Sequence, residues 1–305
     1  MSPAHAAGGR VTSVHPLWAI EGGRVTLEGQ GFPIEDADGV PQVRIGPHRA
    51  LLACASSTSL TAIVPQGLEG GQTAIRIDSL PGETAFVEIG APLVHGVHQV
   101  DSPAYDRHGN LYVTFSGSRG QQAPVGIFVV RPDGTREPFV TDVPNPTSLA
   151  FGGDGRLYVS SRFDGSVYRV EADGRSQLFA TLPASVAAFH LAFGPDDHLY
   201  VAAPTLNTND PIYRIAPHGA VEPWGSHYGR PQGLAFDAGG HLYVVDALAG
   251  ASAVYRVRVD APDTPELMLS GGPLIGLAFD PHGGIALAAT ETVYRLAVGV
   301  RGLLP

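Results

Sequence analysis

A phrase that returns along two thirds of the chain limits what the chain can fold into. It reads Ser148-Leu149-Ala150-Phe151, a Gly-Gly-Asp-Gly turn, Leu157-Tyr158-Val159, then Val167-Tyr168-Arg169-Val170. It returns as His190-Leu191-Ala192-Phe193 with Leu199-Tyr200-Val201 and Ile212-Tyr213-Arg214-Ile215, and as Leu234-Ala235-Phe236-Asp237 with Leu242-Tyr243-Val244 and Val254-Tyr255-Arg256-Val257. A fainter first copy runs Ala104-Tyr105-Asp106, Leu111-Tyr112-Val113 and Ile127-Phe128-Val129. A shortened last copy runs Leu277-Ala278-Phe279-Asp280, Ile285-Ala286-Leu287 and Val293-Tyr294-Arg295-Leu296. The tyrosines at 112, 158, 200 and 243 are spaced 46, 42 and 43 residues apart. Short strands recurring at that period are the mark of propeller blades, each burying the same faces against its neighbours.

The fold class expected is therefore all-β. Glycine (39) and proline (26) are abundant in the 305 residues and only 16% are charged, a balance that favours short strands and tight turns over helices. A net charge of −10 without a Lys/Arg cluster excludes a nucleic-acid partner, which would need cations to displace counterions from phosphates. No stretch approaches the roughly 20 apolar residues of a membrane span, and the first ten residues lack the form of a signal peptide, so the chain as given is expected in the cytoplasm. The single cysteine, Cys54, allows no intrachain disulfide and is expected as a small buried residue.

Residues 1–9 read as a disordered tail. From residue 10 the pattern differs: Val25 and Leu27 alternate with Thr26 and Glu28 between glycine-bearing turns, and further short alternating runs follow to residue 91. Six or seven strands in that span predict a small β-sandwich. Pro16, the Glu21-Gly22-Gly23 turn, Val25-Thr26-Leu27, Gly29-Gln30-Gly31-Phe32 and the Leu60-Thr61-Ala62-Ile63-Val64-Pro65 run resemble the TIG/IPT family of immunoglobulin-like domains. That resemblance implies a binding or spacer module.

Residues 92–299 hold the five copies, and 300–305 read as a tail. The phrase Pro231-Gln232-Gly233-Leu234-Ala235-Phe236-Asp237, followed by Gly240-His241-Leu242-Tyr243-Val244-Val245-Asp246, resembles the NHL-repeat propellers and the gluconolactonase-like (SMP-30/regucalcin) superfamily. Five copies predict five blades, with six as the alternative because those families usually have six. The last copy lacks an outermost strand, and an unpaired edge there would invite association. Residues Leu93 to Val97 are expected to supply the missing strand and close the ring, with Val300 to Leu304 as the rival segment.

Propellers bind ligands at one end of the central channel. Aligning the copies places Asp101, Ser102, Thr147, Ser148, His190 and Gln232 at that entrance, with Asp246 close by, as the expected ligand-binding set. His190 occupies a slot where other copies carry Ser or Gly, which makes it the candidate for acid/base work or for hydrogen bonding in a pocket. Tyr168/Arg169, Tyr213/Arg214, Tyr255/Arg256 and Tyr294/Arg295 recur in four copies and so read as architecture, since a catalytic residue is needed once. The gluconolactonase resemblance implies a divalent cation, such as Ca²⁺, held by Glu, Asn and Asp; the matching candidates here are Asp101, Asn145 and Asp246, a poor carboxylate set for a hard cation. The leading expectation is accordingly a non-enzymatic protein that binds a small molecule or a protein at the channel mouth, without a cofactor. The alternative is a metal-dependent lactonase.

Overall fold

The computed structural model describes residues 9–34, 40–95, 102–114, 125–139, 142–182, 189–205, 207, 209–246 and 252–303. All regular structure among them is strand. The chain divides into two compact units, Met1–Ala91 with Leu267–Gly272, and Pro92–Glu266 with Pro273–Pro305.

In the first unit, Arg10–His15, Arg24–Gln30, Ser59–Ile63 and His48–Ala55 form one antiparallel ladder. His48–Ala55 also begins a second ladder that continues through Val43–Ile45, Gly71–Ile77 and Thr84–Ile89. Trp18–Ala19 then lies parallel to Thr84–Ile89 on one side and to Leu269 and Ser270 on the other. The alternation read from the sequence works as expected: Val25 and Leu27 are buried, while Thr26 turns to the opposite face and meets Thr61 at 3.0 Å. Val25, Leu27, Leu60, Ile45, Ile75 and Ile89 share one core, and each such side chain contributes about 1.5–3 kcal/mol on burial. Cys54 departs from expectation, because it is exposed. A bulge between Leu52 and Cys54 adds a residue to the strand and reverses the alternation beyond it, so Ala55 turns inward instead.

In the second unit the copies fold as antiparallel meanders. Four are self-contained four-stranded sheets among the described residues. The first comprises Ala104–Tyr105, Leu111–Thr114, Ile127–Val130 and Arg136–Phe139. The second comprises Pro146–Phe151, Leu157–Ser161, Ser166–Val170 and Ser176–Thr181, and the third His190–Phe193, Leu199–Ala202, Asp210–Ile215 and Val221–Tyr228. The last joins Gly276–Phe279, Gly284–Ala288 and Thr292–Ala297 to Ala91–His95. The chain's own N-terminal side thus completes the last copy, as expected of residues near 93–97; Gly96 and Val97 lie outside the described residues. The rival segment goes elsewhere. Leu303 donates its N–H to the Phe236 carbonyl and Gly302 bridges Asp237, so residues 300–303 dock on the fourth copy instead of forming a loose tail.

Of the five copies expected as blades, four stand as sheets of their own among the described residues. The fourth copy, Pro231–Phe236, His241–Asp246, Ala253–Arg258 and Ala261–Ser270, is not self-contained, because the end of its outer strand runs on into the first unit and pairs there with Trp18–Ala19. The innermost strands of all five copies nonetheless touch in sequence, and the first returns to touch the last. The arrangement is that of a propeller.

The repeated phrase is explained by what it packs. In copies 1 to 4 the tyrosine of the second strand stands edge-on to the phenylalanine of the next copy's inner strand: Tyr112 to Phe151 (5.1 Å), Tyr158 to Phe193 (4.8 Å), Tyr200 to Phe236 (4.9 Å) and Tyr243 to Phe279 (4.9 Å). Each such pair is worth about 0.5–1.5 kcal/mol beyond its buried area. An aspartate holds the first turn of every copy by accepting backbone N–H groups, as Asp154 does from Arg156 and Asp280 from His282 and Gly284. In copies 3 and 5 the matching arginine secures it from the third strand, with Arg214 2.8 Å from Asp196 and Arg295 2.7 Å from Asp280.

Candidate functional site

At the end of the channel where the inner strands begin, copies 1 to 3 contribute a belt of hydroxyls and one imidazole. Ser102 Oγ lies 2.7 Å from His190 Nδ1, and both residues are buried. Ser102 and Ser148 form a parallel bridge, and Ser148 Oγ accepts the Leu191 N–H at 2.9 Å. Thr147 Oγ1 sits 3.0 Å from Ser160 Oγ, which donates to the Phe189 carbonyl at 2.8 Å. Thr114 Oγ1 donates to the Thr147 carbonyl. The belt forms because copies 1 and 2 place small hydroxyl residues on their first two strands, whose side chains satisfy neighbouring backbone ends that the short strands leave open. Copies 4 and 5 behave differently there: Gly233 lies so close to Gly276 that a Cβ would collide with its Cα, and the Gly233 N–H donates to the Ile275 carbonyl. The imidazole therefore stands buried on the hydroxyl side of a lopsided belt.

Burial alone moves the His190 pKa, lowering it to about 3, so the ring is neutral at physiological pH. Among the described residues only Nδ1 has a hydrogen-bond partner, and that partner is a serine hydroxyl. Ser102 and His190 have the spacing of a nucleophile and its base, yet no carboxylate among the described residues bonds the ring to raise its basicity.

The remaining expected site residues are not drawn into this belt. Asp246 is buried and spends its carboxylate on the Gly229 and Arg230 N–H groups at 3.1 and 2.7 Å. Asn145 adopts a left-handed conformation (φ 43°) before Pro146, where its carbonyl accepts the Arg162 N–H. Gln232 is half-buried at the start of its strand. Asp101 lies outside the described residues. The divalent cation implied by the gluconolactonase resemblance does not fit what is present: the described belt offers neutral hydroxyls, and the carboxylate of Asp246 already serves two amides. One member of the belt was missed from the sequence, Ser160. Its signal was the Ser160-Ser161-Arg162 run after Tyr158-Val159, where the other copies do not place three polar residues. The buried Nε of Arg162 has no hydrogen-bond partner among the described residues.

The other end of the channel is open and apolar. A cavity of about 190 Å³ is walled there by Leu149-Ala150-Phe151 and its counterparts in the other copies, with Leu303 beside it. The repeated strand thus lines an opening as well as a core, although the sequence reading assigned it to packing alone.

Comparison with known proteins supports the fold. No family model matches the chain, and no curated protein matches it in sequence. Among solved structures, a structural-genomics protein of unknown function from Bacteroides thetaiotaomicron is 12% identical, with 97% of this chain and 99% of that one covered, at a TM-score of 0.51. A protein described as a candidate gluconolactonase is 16% identical over 71% of this chain and 94% of that one, at a TM-score of 0.52. A gluconolactonase from Xanthomonas campestris is 18% identical over 70% of this chain and 78% of that one, at 0.48. At these identities the likeness bears on fold alone, that of a β-propeller.

Proposed function

We propose that this chain is a non-enzymatic binding protein, an NHL-like five-bladed propeller preceded by an immunoglobulin-like TIG module, which takes a neutral polar ligand at the belt around Ser102, Ser148 and His190. The five-bladed reading is supported by five inner strands that touch in a closed sequence. The observation that carries the functional reading is the Ser102–His190 pair. Its imidazole is buried, has a pKa of about 3 and is held by a hydroxyl. Such a ring is a poor base for activating serine at neutral pH, but as a fixed neutral group it can donate or accept a hydrogen bond. The lactonase alternative is compatible with the fold neighbours, which bear on fold alone.

The test is direct. Metal content is measured on the purified protein, hydrolysis of aldonolactones is assayed with and without chelator, and binding of the same lactones and of polyols is followed by calorimetry for the wild type and for His190→Gln. The expected result is chelator-indifferent background hydrolysis, together with binding that weakens about tenfold or more in the variant. Stoichiometric bound cation with chelator-sensitive turnover would establish the lactonase instead.

A further inference from the structure

A second site arises where one copy breaks the pattern of the others. In copies 2, 3 and 4 an arginine on the third strand pairs with the tyrosine of the second, as Arg169 with Tyr158, Arg214 with Tyr200 and Arg256 with Tyr243; Arg295 holds the same register in copy 5. Each guanidinium is engaged within its own copy, Arg214 with Asp196, Arg295 with Asp280, Arg169 with Gln177 and Arg256 with Glu266. In copy 1 the residue paired with Tyr112 is Val129. Valine is too short to reach the turn aspartate. Arg131, two residues further on, is turned to Glu137 at 2.6 Å, and its charge acts on Tyr112 and Asp106 through the field, without a hydrogen bond to either among the described residues.

Between copies 1 and 2 there is a cavity of about 540 Å³, lined by Asp106, Tyr112 and Phe139 on one side and by Phe151, Arg156 and Glu171 on the other. Asp106 is the turn aspartate of copy 1, the group that arginine secures in copies 3 and 5. Its Oδ1 accepts the His108 and Asn110 N–H groups, both at 2.9 Å, and its Oδ2 accepts Asn110 Nδ2 at 2.7 Å. A carboxylate has about four acceptor positions, so among the described residues one direction remains for a further donor. Arg156 does not oppose a cation strongly, since Asp154 and Glu171 hold it at 3.2 and 3.4 Å. The rim residues Arg107, His108 and Arg156 are exposed, which opens the cavity to solvent.

We propose that this cavity is a socket for a guanidinium group supplied from outside, from a small arginine-like molecule or from an arginine side chain of a partner protein. The site is independent of the His190 belt and of any function there. A planar guanidinium bonds the remaining direction of the carboxylate and lies against the Tyr112, Phe139 and Phe151 rings, which a compact ammonium does less well.

The experiment titrates the full chain with L-arginine, L-citrulline, L-lysine and the tripeptide Gly-Arg-Gly, following amide chemical shifts of residues 106–112 and 151–157. Arginine or the tripeptide is expected to bind in the millimolar range, with citrulline, the uncharged analogue, at least about tenfold weaker. Saturation by the tripeptide alone assigns the socket to a protein partner, whereas saturation by free arginine assigns it to a small molecule. Val129→Arg restores the internal guanidinium and is expected to abolish the response while raising the melting temperature. Asp106→Asn keeps an acceptor for the two backbone amides and removes the charge; it is expected to weaken binding about tenfold, and it decides the matter if Val129→Arg does not fold. Equal binding of citrulline, no shift from either arginine ligand, or an undiminished response in Asp106→Asn overturns the proposal.

Discussion

His190 shows how much one side chain can determine. Its folded pKa of about 3 lies below the ordinary 6.5, so between those values the unfolded chain carries a proton that the folded chain does not. The stability due to the neutral ring is complete above pH 6.5 and is lost as the pH falls toward 3. Urea denaturation is expected to show about 2 kcal/mol lost from this residue between pH 7 and pH 5, and His190→Gln should remove that slope. Parallel pH profiles for the two proteins would mean that the ring is not held neutral. Ser102→Ala leaves Nδ1 without its partner and should cost about 1–3 kcal/mol at pH 7. Ser102 and His190 were both legible as neighbours of the channel mouth, but their hydrogen bond was not, since Ser102 comes from two copies earlier and meets the ring only through the convergence of the inner strands. Val129 was also legible as a break in the Tyr-Arg pattern, but a missing arginine gains meaning only when a cavity is seen beside it. Cys54 was misread because a one-residue bulge leaves no mark in an alternating run.

At the scale of the element, the turn aspartate forms the joint of each copy, and in copies 3 and 5 the third-strand arginine clamps it. Burial pushes the Asp280 carboxyl up, but the Gly284 amide, Arg295 and the His282 amide outweigh it and hold the pKa below the usual carboxylate value. Its contribution is therefore present above the unfolded carboxylate range and disappears as the pH falls below about 4, a second acid step beneath the one due to His190. Asp280→Ala should cost about 2–4 kcal/mol, measured by urea midpoint at pH 7, because two backbone amides and a guanidinium lose their acceptor together. A loss under about 0.5 kcal/mol would show the joint to be decorative. A similar cost, about 1–3 kcal/mol, is expected for Gly233→Ala, where a methyl must displace the neighbouring inner strand at Gly276. These elements were readable in advance because the copies repeat the same demand: a turn that tolerates positive φ, as Gly109, Gly155 and Gly240 do, and in copies 1 to 4 a tyrosine to meet the next phenylalanine.

For the molecule as a whole, the order of the chain matters more than any contact. The last copy is completed by residues that come before the first, an arrangement visible in the sequence as a missing outer strand. What the sequence concealed is that residues 267–272 leave the second unit, count with the first and return. No change of composition marks that excursion, because the segment is still an ordinary outer strand. The first unit is thus assembled from two distant stretches, and Trp18 and Ala19 depend for one of their neighbours on Leu269 and Ser270. A protease cut between residues 91 and 92 would sever the backbone without removing that pairing. The two fragments are expected to co-elute on size exclusion in native buffer and to separate in urea, and fragment 1–91 made alone should melt well below the nicked protein. In that sense the short strand pair works as a built-in complementation tag, by which a divided chain can find its other half.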